Sequence, residues 1–159
     1  MKKLLLLLLP LLALSFNACS DKDDDNPTEN KLTINGKNYD LSGGSMHYYG
    51  SNENEDAINV DLVLRATNGA YLELEMFVSN GNTKLVAGTY NLNPNFKEFT
   101  YSDSYAVDEN DNDFEITGGT IKVAVSGDTY TITINCNLKG GGTAKGEYKG
   151  SLTWSDDSE

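Results

Sequence analysis

The feature that most constrains the fold is a period-two alternation of apolar and polar residues, which begins near residue 31 and continues almost to the C terminus. The run from Ile58 to Leu64 places four aliphatic side chains on one face, and the run from Leu72 to Val78 repeats this pattern. Because successive side chains of a strand point to opposite faces, strict alternation over short runs predicts half-buried strands. The sequence therefore predicts a long β-hairpin over residues 57–78, with Asn68-Gly69 at its turn.

Turn signals divide the rest of the chain into further short strands, which include predicted runs over residues 114–117, 120–126 and 129–138. Asn35-Gly36 separates two alternating runs, and Asn-Gly is a strong hairpin signal because both central residues of the turn need positive φ. No stretch after the N-terminal block has the apolar periodicity of a helix. The prediction is an all-β fold: a single antiparallel β-sandwich or β-barrel domain of about 8–11 strands. Parallel pairing is not expected, because no helix is present to connect parallel strands.

The first 18 residues have the composition of a secretory signal. Lys2 and Lys3 precede an almost pure leucine block, Leu4 to Leu14, which has roughly half of the ~20 residues that a transmembrane helix needs. Pro10 interrupts this block, and proline disfavours an undisturbed helix because it removes a hydrogen bond. We predict that residues 1–18 are a signal peptide that is removed.

Ala18-Cys19, directly after the apolar block, resembles the lipobox of bacterial lipoproteins, although Phe16 and Asn17 differ from its usual residues. The resemblance implies cleavage before Cys19 and acylation of its sulfur and of the new amino group. Each buried methylene of an acyl chain adds about 0.8 kcal/mol, so two or three chains hold a protein firmly on a membrane. The membrane is therefore the first predicted partner, through a lipid anchor on Cys19.

An acidic segment follows the cysteine and carries the second part of the resemblance. It is similar to the surface-export signal of Bacteroidota-type lipoproteins, with the residues Ser20, Asp21, Lys22, Asp23, Asp24 and Asp25. The resemblance implies the outer membrane with exposure on the cell surface; the alternative is the periplasmic face. The charges alone predict an extended, solvated tether over residues 19–30. The β domain is then expected over residues 31–155 and a polar tail over residues 156–159.

The net charge limits the classes of partner, and the cysteine content limits the covalent cross-links. The chain has 24 acidic and 12 basic residues and a net charge of −12, which would repel the phosphates of DNA or RNA, so no nucleic acid partner is expected. Besides Cys19 the chain has only Cys136, which excludes a disulfide framework. Cys136 lies on the apolar face of its predicted strand, where a buried, inert side chain is expected.

The sequence contains no recognisable set of catalytic residues. His47 is the sole histidine, so the chain does not supply the several His or Cys ligands of a typical zinc site. Glu73 and Glu75 share one strand face, but such a pair is normally the solvated side of a half-buried strand. We therefore predict that the protein is not an enzyme and has no cofactor.

One loop has the composition of a weak calcium site. Asp108, Asn110 and Asn112 alternate in the segment DENDND, and their oxygens are ligands of the kind that Ca²⁺ takes. The sixth position is Asp113 rather than the glycine of an EF-hand, and a polar turn explains the same residues.

Aromatic residues are the remaining candidates for ligand binding. Tyrosine rings offer flat apolar faces with a polar rim, although tyrosine is also simply favoured in strands. The candidates for stacking on a ligand lie opposite core residues or in loops: Tyr49, Tyr71, Phe77, Tyr101 and Tyr105.

The whole chain resembles the small β-rich lipoproteins of Bacteroidota surfaces. We expect a surface-anchored, non-enzymatic binding or accessory module, with a glycan or another extracellular polymer as the favoured ligand. One alternative is a lipocalin-like barrel that binds a small apolar ligand. Another is a structural or inhibitory protein that pairs with a protein partner through a sheet edge.

Overall fold

The computed structural model describes residues 29–51 and 57–158, and the regular secondary structure in these ranges is entirely β-strand. Ten strands are formed there: β1 (Lys31–Ile34), β2 (Lys37–Gly50), β3 (Ala57–Ala66), β4 (Tyr71–Ser79), β5 (Gly88–Leu92), β6 (Thr100–Val107), β7 (Asp113–Ser126), β8 (Thr129–Leu138), β9 (Thr143–Gly150) and β10 (Thr153–Asp156). The all-β prediction and the predicted number of strands are confirmed. The predicted signal peptide, Cys19 and the acidic segment 20–25 lie outside the described residues.

Nine of the strands close into a barrel, and β10 is added outside the ring. The order around the ring is β1-β9-β8-β7-β5-β6-β4-β3-β2, and pairing of β2 with β1 completes it. β5 is wedged between β6 and β7, which pair with each other directly only next to their connecting turn. Closure removes the exposed edges of an open sheet, so the structure decides in favour of the barrel over the sandwich.

Both predicted Asn-Gly hairpins are confirmed. Asn35 and Gly36 have φ values of 50° and 83°, as a two-residue type I′ turn between β1 and β2 requires. The second pair, Asn68-Gly69, connects β3 to β4, which pair over their full length from Ala57 opposite Ser79 to Arg65 opposite Tyr71. Local turn chemistry therefore sets the register of these two hairpins.

Inward-facing side chains fill the barrel. The aliphatic residues that alternation assigned to one face of β3 and β4 are buried, and larger side chains pack with them, among them Tyr90, Tyr101, Met46 and Met76. Each Å² of apolar surface removed from water contributes roughly 25 cal/mol, so this core is the main source of stability.

Glu109, in the β6–β7 turn, joins that turn to the β1–β2 hairpin. Its carboxylate accepts hydrogen bonds from the Lys37 ammonium and, at 2.6 Å, from the hydroxyl of the buried Tyr39. Lys37 and Tyr39 hold the pKa of Glu109 below its usual value, while burial and the Glu109 carboxylate raise the pKa of Tyr39 to about 12.

Three details differ from the sequence-based expectation. β7 is one strand where two runs were expected, because an extra residue at Thr117 lets the strand bend without ending. Short parallel pairings occur between β5 and β6 and between β2 and β10, so the sheet is not purely antiparallel. The predicted tail is not separate, since β10 extends to Asp156 and the Asp157 amide donates to the Tyr48 carbonyl at 2.8 Å.

Candidate functional site

One outer face of the barrel, formed by β2, β3, β4 and β6, concentrates carboxylates and tyrosines. We call it the tyrosine–carboxylate face and define it by Tyr49, Asp61, Tyr71, Glu73, Glu75 and Tyr105. Its members on β3 and β4 point outward because they alternate with buried aliphatic residues of the same strands. The period-two pattern that fills the core therefore also builds this face.

Two β-bulges position tyrosines on the face. Tyr49 is the extra residue where β2 shifts register against β3, and its side chain is 48% exposed. In β6 the register shifts at Asp103 and Ser104, where Asp103 has a φ of 26°, and the next residue, Tyr105, stands opposite Glu73. Bulges bend a strand and re-aim its side chains, and they are over-represented beside functional sites.

Carboxylates of this face act on the phenols of Tyr105 and Tyr49. Burial and the neighbouring Glu73 carboxylate raise the pKa of Tyr105 to about 12. Burial also raises the pKa of Tyr49, and the charges of Asp61, Asp157 and Glu73 add to this effect in decreasing order. Glu73 is therefore the carboxylate that bonds to Tyr105, whereas Asp61 acts most strongly on Tyr49.

Tyr71 extends the aromatic surface from β4. Its ring meets that of Tyr105 edge-to-face, with 6.2 Å between the ring centroids and 75° between the planes. This is a favoured geometry for an aromatic pair. The Arg65 guanidinium lies 5.3 Å from the centroid of the Tyr71 ring, within the range of a cation–π contact.

The middle of the face is a row of polar residues that crosses five strands. The register puts Asp61 directly opposite His47 of β2 and directly opposite Glu75 of β4. Ser155 of β10 extends the row beyond His47, and Ser102 of β6 extends it beyond Glu75. Directly opposed residues have Cβ atoms about 4.5–5.5 Å apart, so Asp61 and Glu75 are adjacent carboxylates, an arrangement that destabilises a sheet.

Asp61 is the most perturbed acid of this row. Burial, together with the charges of Glu75 and Glu73, raises its pKa to about 7 and outweighs the lowering effect of His47. The sequence did not single out Asp61, because an aspartate on the polar side of a strand is ordinary until its neighbours on adjacent strands are known. A buried carboxyl group with a charged partner is a recognised marker of functional sites.

His47 is held by partners from β2 and the C-terminal segment. Its Nε2 atom is 2.9 Å from the Ser45 hydroxyl, and its Nδ1 atom is 2.8 Å from the Ser155 hydroxyl and 3.0 Å from the Asp157 carboxylate. The ring is thereby fixed at the border between the face and β10.

An open groove of about 630 Å³ adjoins the face. The exposed Lys139 and Glu115, which both line it, form an ion pair with 2.6 Å between ammonium and carboxylate. Tyr105 belongs to both the groove and the face, so the two surfaces are continuous. The groove is lined by Asp103, Ser104, Tyr105, Asp113, Phe114, Glu115, Lys139 and Gly140.

Three of the five predicted stacking residues share this face, namely Tyr49, Tyr71 and Tyr105. The prediction for Tyr101 is wrong, because its side chain is 0% exposed inside the barrel. The prediction for Phe77 is also wrong: this ring points outward but is 1% exposed, and it packs against Phe96 with 5.1 Å between centroids.

Trp154 is exposed, although the alternation at the end of the chain predicts that it faces inward with Tyr148 and Leu152. Its side chain is 42% exposed, because β10 lies outside the barrel ring. The indole Nε1 donates to the Thr83 carbonyl at 2.8 Å, and the Lys84 ammonium lies 5.8 Å from the ring centroid. Trp154 therefore ties β10 to the β4–β5 connection.

The side chains of the predicted calcium loop bind one another. The Asp108 carboxylate accepts hydrogen bonds from the backbone amides of Asn110 and Asn112 at 2.8 Å and 3.1 Å, and from the Asn112 side-chain amide at 2.9 Å. These bonds, chiefly the one from the Asn112 side chain, lower the pKa of Asp108. Within residues 29–51 and 57–158, no group of three or more His, Cys, Asp or Glu side chains is arranged to hold a metal ion.

No protein-family model, curated protein or solved structure matches this chain. In the part of the chain that the structure describes, no helix is long and apolar enough to cross a bilayer. The fold defines a nine-stranded closed β-barrel with one added strand.

Proposed function

We propose that this protein is a lipid-anchored, surface-exposed binding module without enzymatic activity, and that it holds a glycan or a similar extracellular polymer on the tyrosine–carboxylate face. One observation carries the proposal: Tyr71 and Tyr105 meet edge-to-face beside Glu73 on the outside of the barrel, and Tyr49 is exposed on the same face. The continuous groove beyond Tyr105 gives an extended ligand room to follow the surface.

The chemistry of the face suits a polyhydroxylated ligand. Tyrosine rings provide flat apolar surfaces with a polar rim, against which the apolar side of a sugar ring can pack. Ionised carboxylates act only as acceptors, and sugar hydroxyls supply the donors that such oxygens need. A binding surface of this kind combines apolar contact area with a few oriented polar groups.

The filled interior of the barrel argues against the lipocalin-like alternative. Large buried side chains such as Tyr90, Tyr101 and Met76 occupy the space in which a lipocalin would hold its ligand. The remaining alternative, a protein partner at a sheet edge, draws support from β10, which ends the strand order and is largely exposed. Edge strands are the usual sites of strand addition.

The predicted N-terminal segment supports the surface location. Acylation of Cys19 would hold the chain on the membrane, and a tether over residues 19–30 spans at most about 40 Å when fully extended. The barrel would then stand close to the membrane and remain free to meet a polymer outside the cell.

We expect Tyr71→Ala and Tyr49→Ala each to weaken glycan binding about 10-fold or more, because each removes a ring that can stack on the ligand. The measurement is a glycan array followed by titration of the strongest ligand. Val125→Ala, which alters an exposed residue on β7, is the control and should bind as the unaltered protein does. Absence of glycan binding, or binding by both tyrosine variants that is as strong as that of the unaltered protein, would contradict the proposal and favour a protein partner.

Replacement of Asp23, Asp24 and Asp25 by alanine is expected to lower surface exposure, because these residues carry the resemblance to the export signal. Intact cells are treated with external protease, and the fraction of the chain that is cleaved is measured. A change of Asp128 to alanine, in the β7–β8 turn, is the matched control and should leave cleavage unchanged. If the triple variant is cleaved as much as the unaltered protein, the argument for the outer face is lost.

A further inference from the structure

The adjacent carboxylates of Asp61 and Glu75 differ in their partners. Both oxygens of Glu75 are engaged: Oε1 accepts from the Asn59 side-chain amide at 3.1 Å, and Oε2 accepts from the Ser102 hydroxyl. Hydrogen bonds donated to a carboxylate favour its charged form. Both Glu75 oxygens are therefore satisfied by donors of neighbouring side chains.

Asp61 lacks comparable donors. Its Oδ1 atom is buried and has no hydrogen-bond partner among the described residues, and the same holds for Oδ1 of the nearby Asn59. A buried acceptor without a donor is costly, and for a carboxylate the cost falls when the group takes up a proton. Protonation gives the Asp61 carboxyl group an O–H donor, at a position where buried acceptor oxygens lack donors.

The other groups around Asp61 do not neutralise it. From β2, His47 directs both ring nitrogens to Ser45, Ser155 and Asp157, and Tyr49 is a neutral phenol. The remaining charged groups that act on Asp61 are the carboxylates of β4 and of the C-terminal segment: Glu73, Glu75 and Asp157. Arg65, on the same strand as Asp61, instead faces the Tyr71 ring. β6 contributes the neutral residues Ser102 and Tyr105.

We propose that Asp61 and Glu75 form a coupled carboxylate pair that holds one proton between them, so that the tyrosine–carboxylate face gains a negative charge as the solution changes from mildly acidic to mildly alkaline. The proton comes from and returns to water, and Asp61 is its main site. Strongly interacting acids titrate as a pair, and two adjacent carboxylates do not both ionise readily. The titration of the pair does not depend on the proposed function. Any change in ligand affinity that follows from the added negative charge does rest on that function.

The direct test follows the Asp61 carboxyl carbon by NMR in the ¹³C-labelled full chain between pH 4 and pH 9. We expect a midpoint near the value of about 7 that burial and the neighbouring carboxylates impose on the pKa of Asp61. Glu75→Gln keeps the shape of the side chain but removes its charge, and it should lower this midpoint by about one pH unit or more. The control, Glu147→Gln, alters a carboxylate of β9 opposite Lys31 and should leave the midpoint unchanged.

Two results would overturn the proposal. One is a midpoint below about pH 5 in the unaltered chain, because such a value is close to the ordinary range for aspartate. The other is an equal midpoint with and without Glu75→Gln.

The pH dependence of stability provides a second measurement that needs no Glu75 variant. Because the pKa of Asp61 is higher in the folded state, the free energy of unfolding should fall as pH rises from about 4 to about 7. Asp61→Asn should reduce this slope, and an unchanged slope would count against the pair.

The outcome also separates this inference from the proposed function. A shifted Asp61 titration together with no glycan binding supports the coupled pair and removes the glycan. Glycan binding together with an ordinary Asp61 titration supports the binding module and overturns the pair.

Discussion

Gly146→Ala is expected to destabilise the barrel by about 3 kcal/mol, in the range of severe overpacking, and to lower Tm by roughly 10 °C. Gly146 lies in β9 between Leu32 of β1 and Ile134 of β8. A Cβ atom at this position would stand 2.1 Å from the Lys31 carbonyl oxygen and 2.9 Å from the Leu32 Cα atom. Both are backbone atoms, so neither can move away without opening the β1–β9 pairing, on which the closed ring also depends.

Gly43→Ala is the matched control for this experiment. Gly43 also lies within a strand, β2, but a Cβ atom built on it meets nothing within 4 Å. Its replacement should change the free energy of unfolding by less than about 0.5 kcal/mol or stabilise the protein slightly, because glycine in a strand carries an entropic cost. Thermal unfolding followed by circular dichroism compares the two variants. Equal Tm values would show that close approach at Gly146 does not limit barrel closure.

Cys19→Ala is expected to abolish acylation and to release the protein from the membrane fraction. The acyl chains would supply about 0.8 kcal/mol for each buried methylene, and no single side chain replaces this contribution. Metabolic labelling with a fatty acid, followed by detergent phase partitioning, measures both effects.

Cys136→Ala is the control for the labelling experiment. Cys136 is 1% exposed inside the barrel, and burial raises the pKa of its thiol to about 11, so it is unreactive towards acylation. This variant should keep the label, although it loses some core packing. The lipoprotein prediction would be contradicted if Cys19→Ala retained the label, or if this variant stayed in the membrane fraction without the label.

Much of the fold follows from the sequence because its signals are local. The strand predicted over residues 129–138 has the same bounds in the structure, since alternation there is uninterrupted. The Asn35-Gly36 turn is determined by two residues that accept positive φ. The outward position of Glu73 and Glu75 likewise follows from their alternation with buried leucines of β4.

The stacking residues show where such reasoning fails. Simple alternation places Tyr101 and Tyr105 on the same face of one strand, but the bulge at residues 103–104 adds a residue between them. Tyr101 therefore points into the barrel opposite Met76, while Tyr105 points outward opposite Glu73. A shift of one residue moves every later side chain to the other face, and no local signal in this stretch announces it.

By itself the sequence determined the all-β class, the two Asn-Gly hairpins and the division of β3 and β4 into an apolar and a polar side. Only the tertiary structure decided that the sheet closes, which tyrosines share a face, and that Asp61 stands between His47 and Glu75. The reason is physical: alternation and turn propensity depend on neighbours along the chain, whereas closure and cross-strand contacts depend on pairing between distant segments.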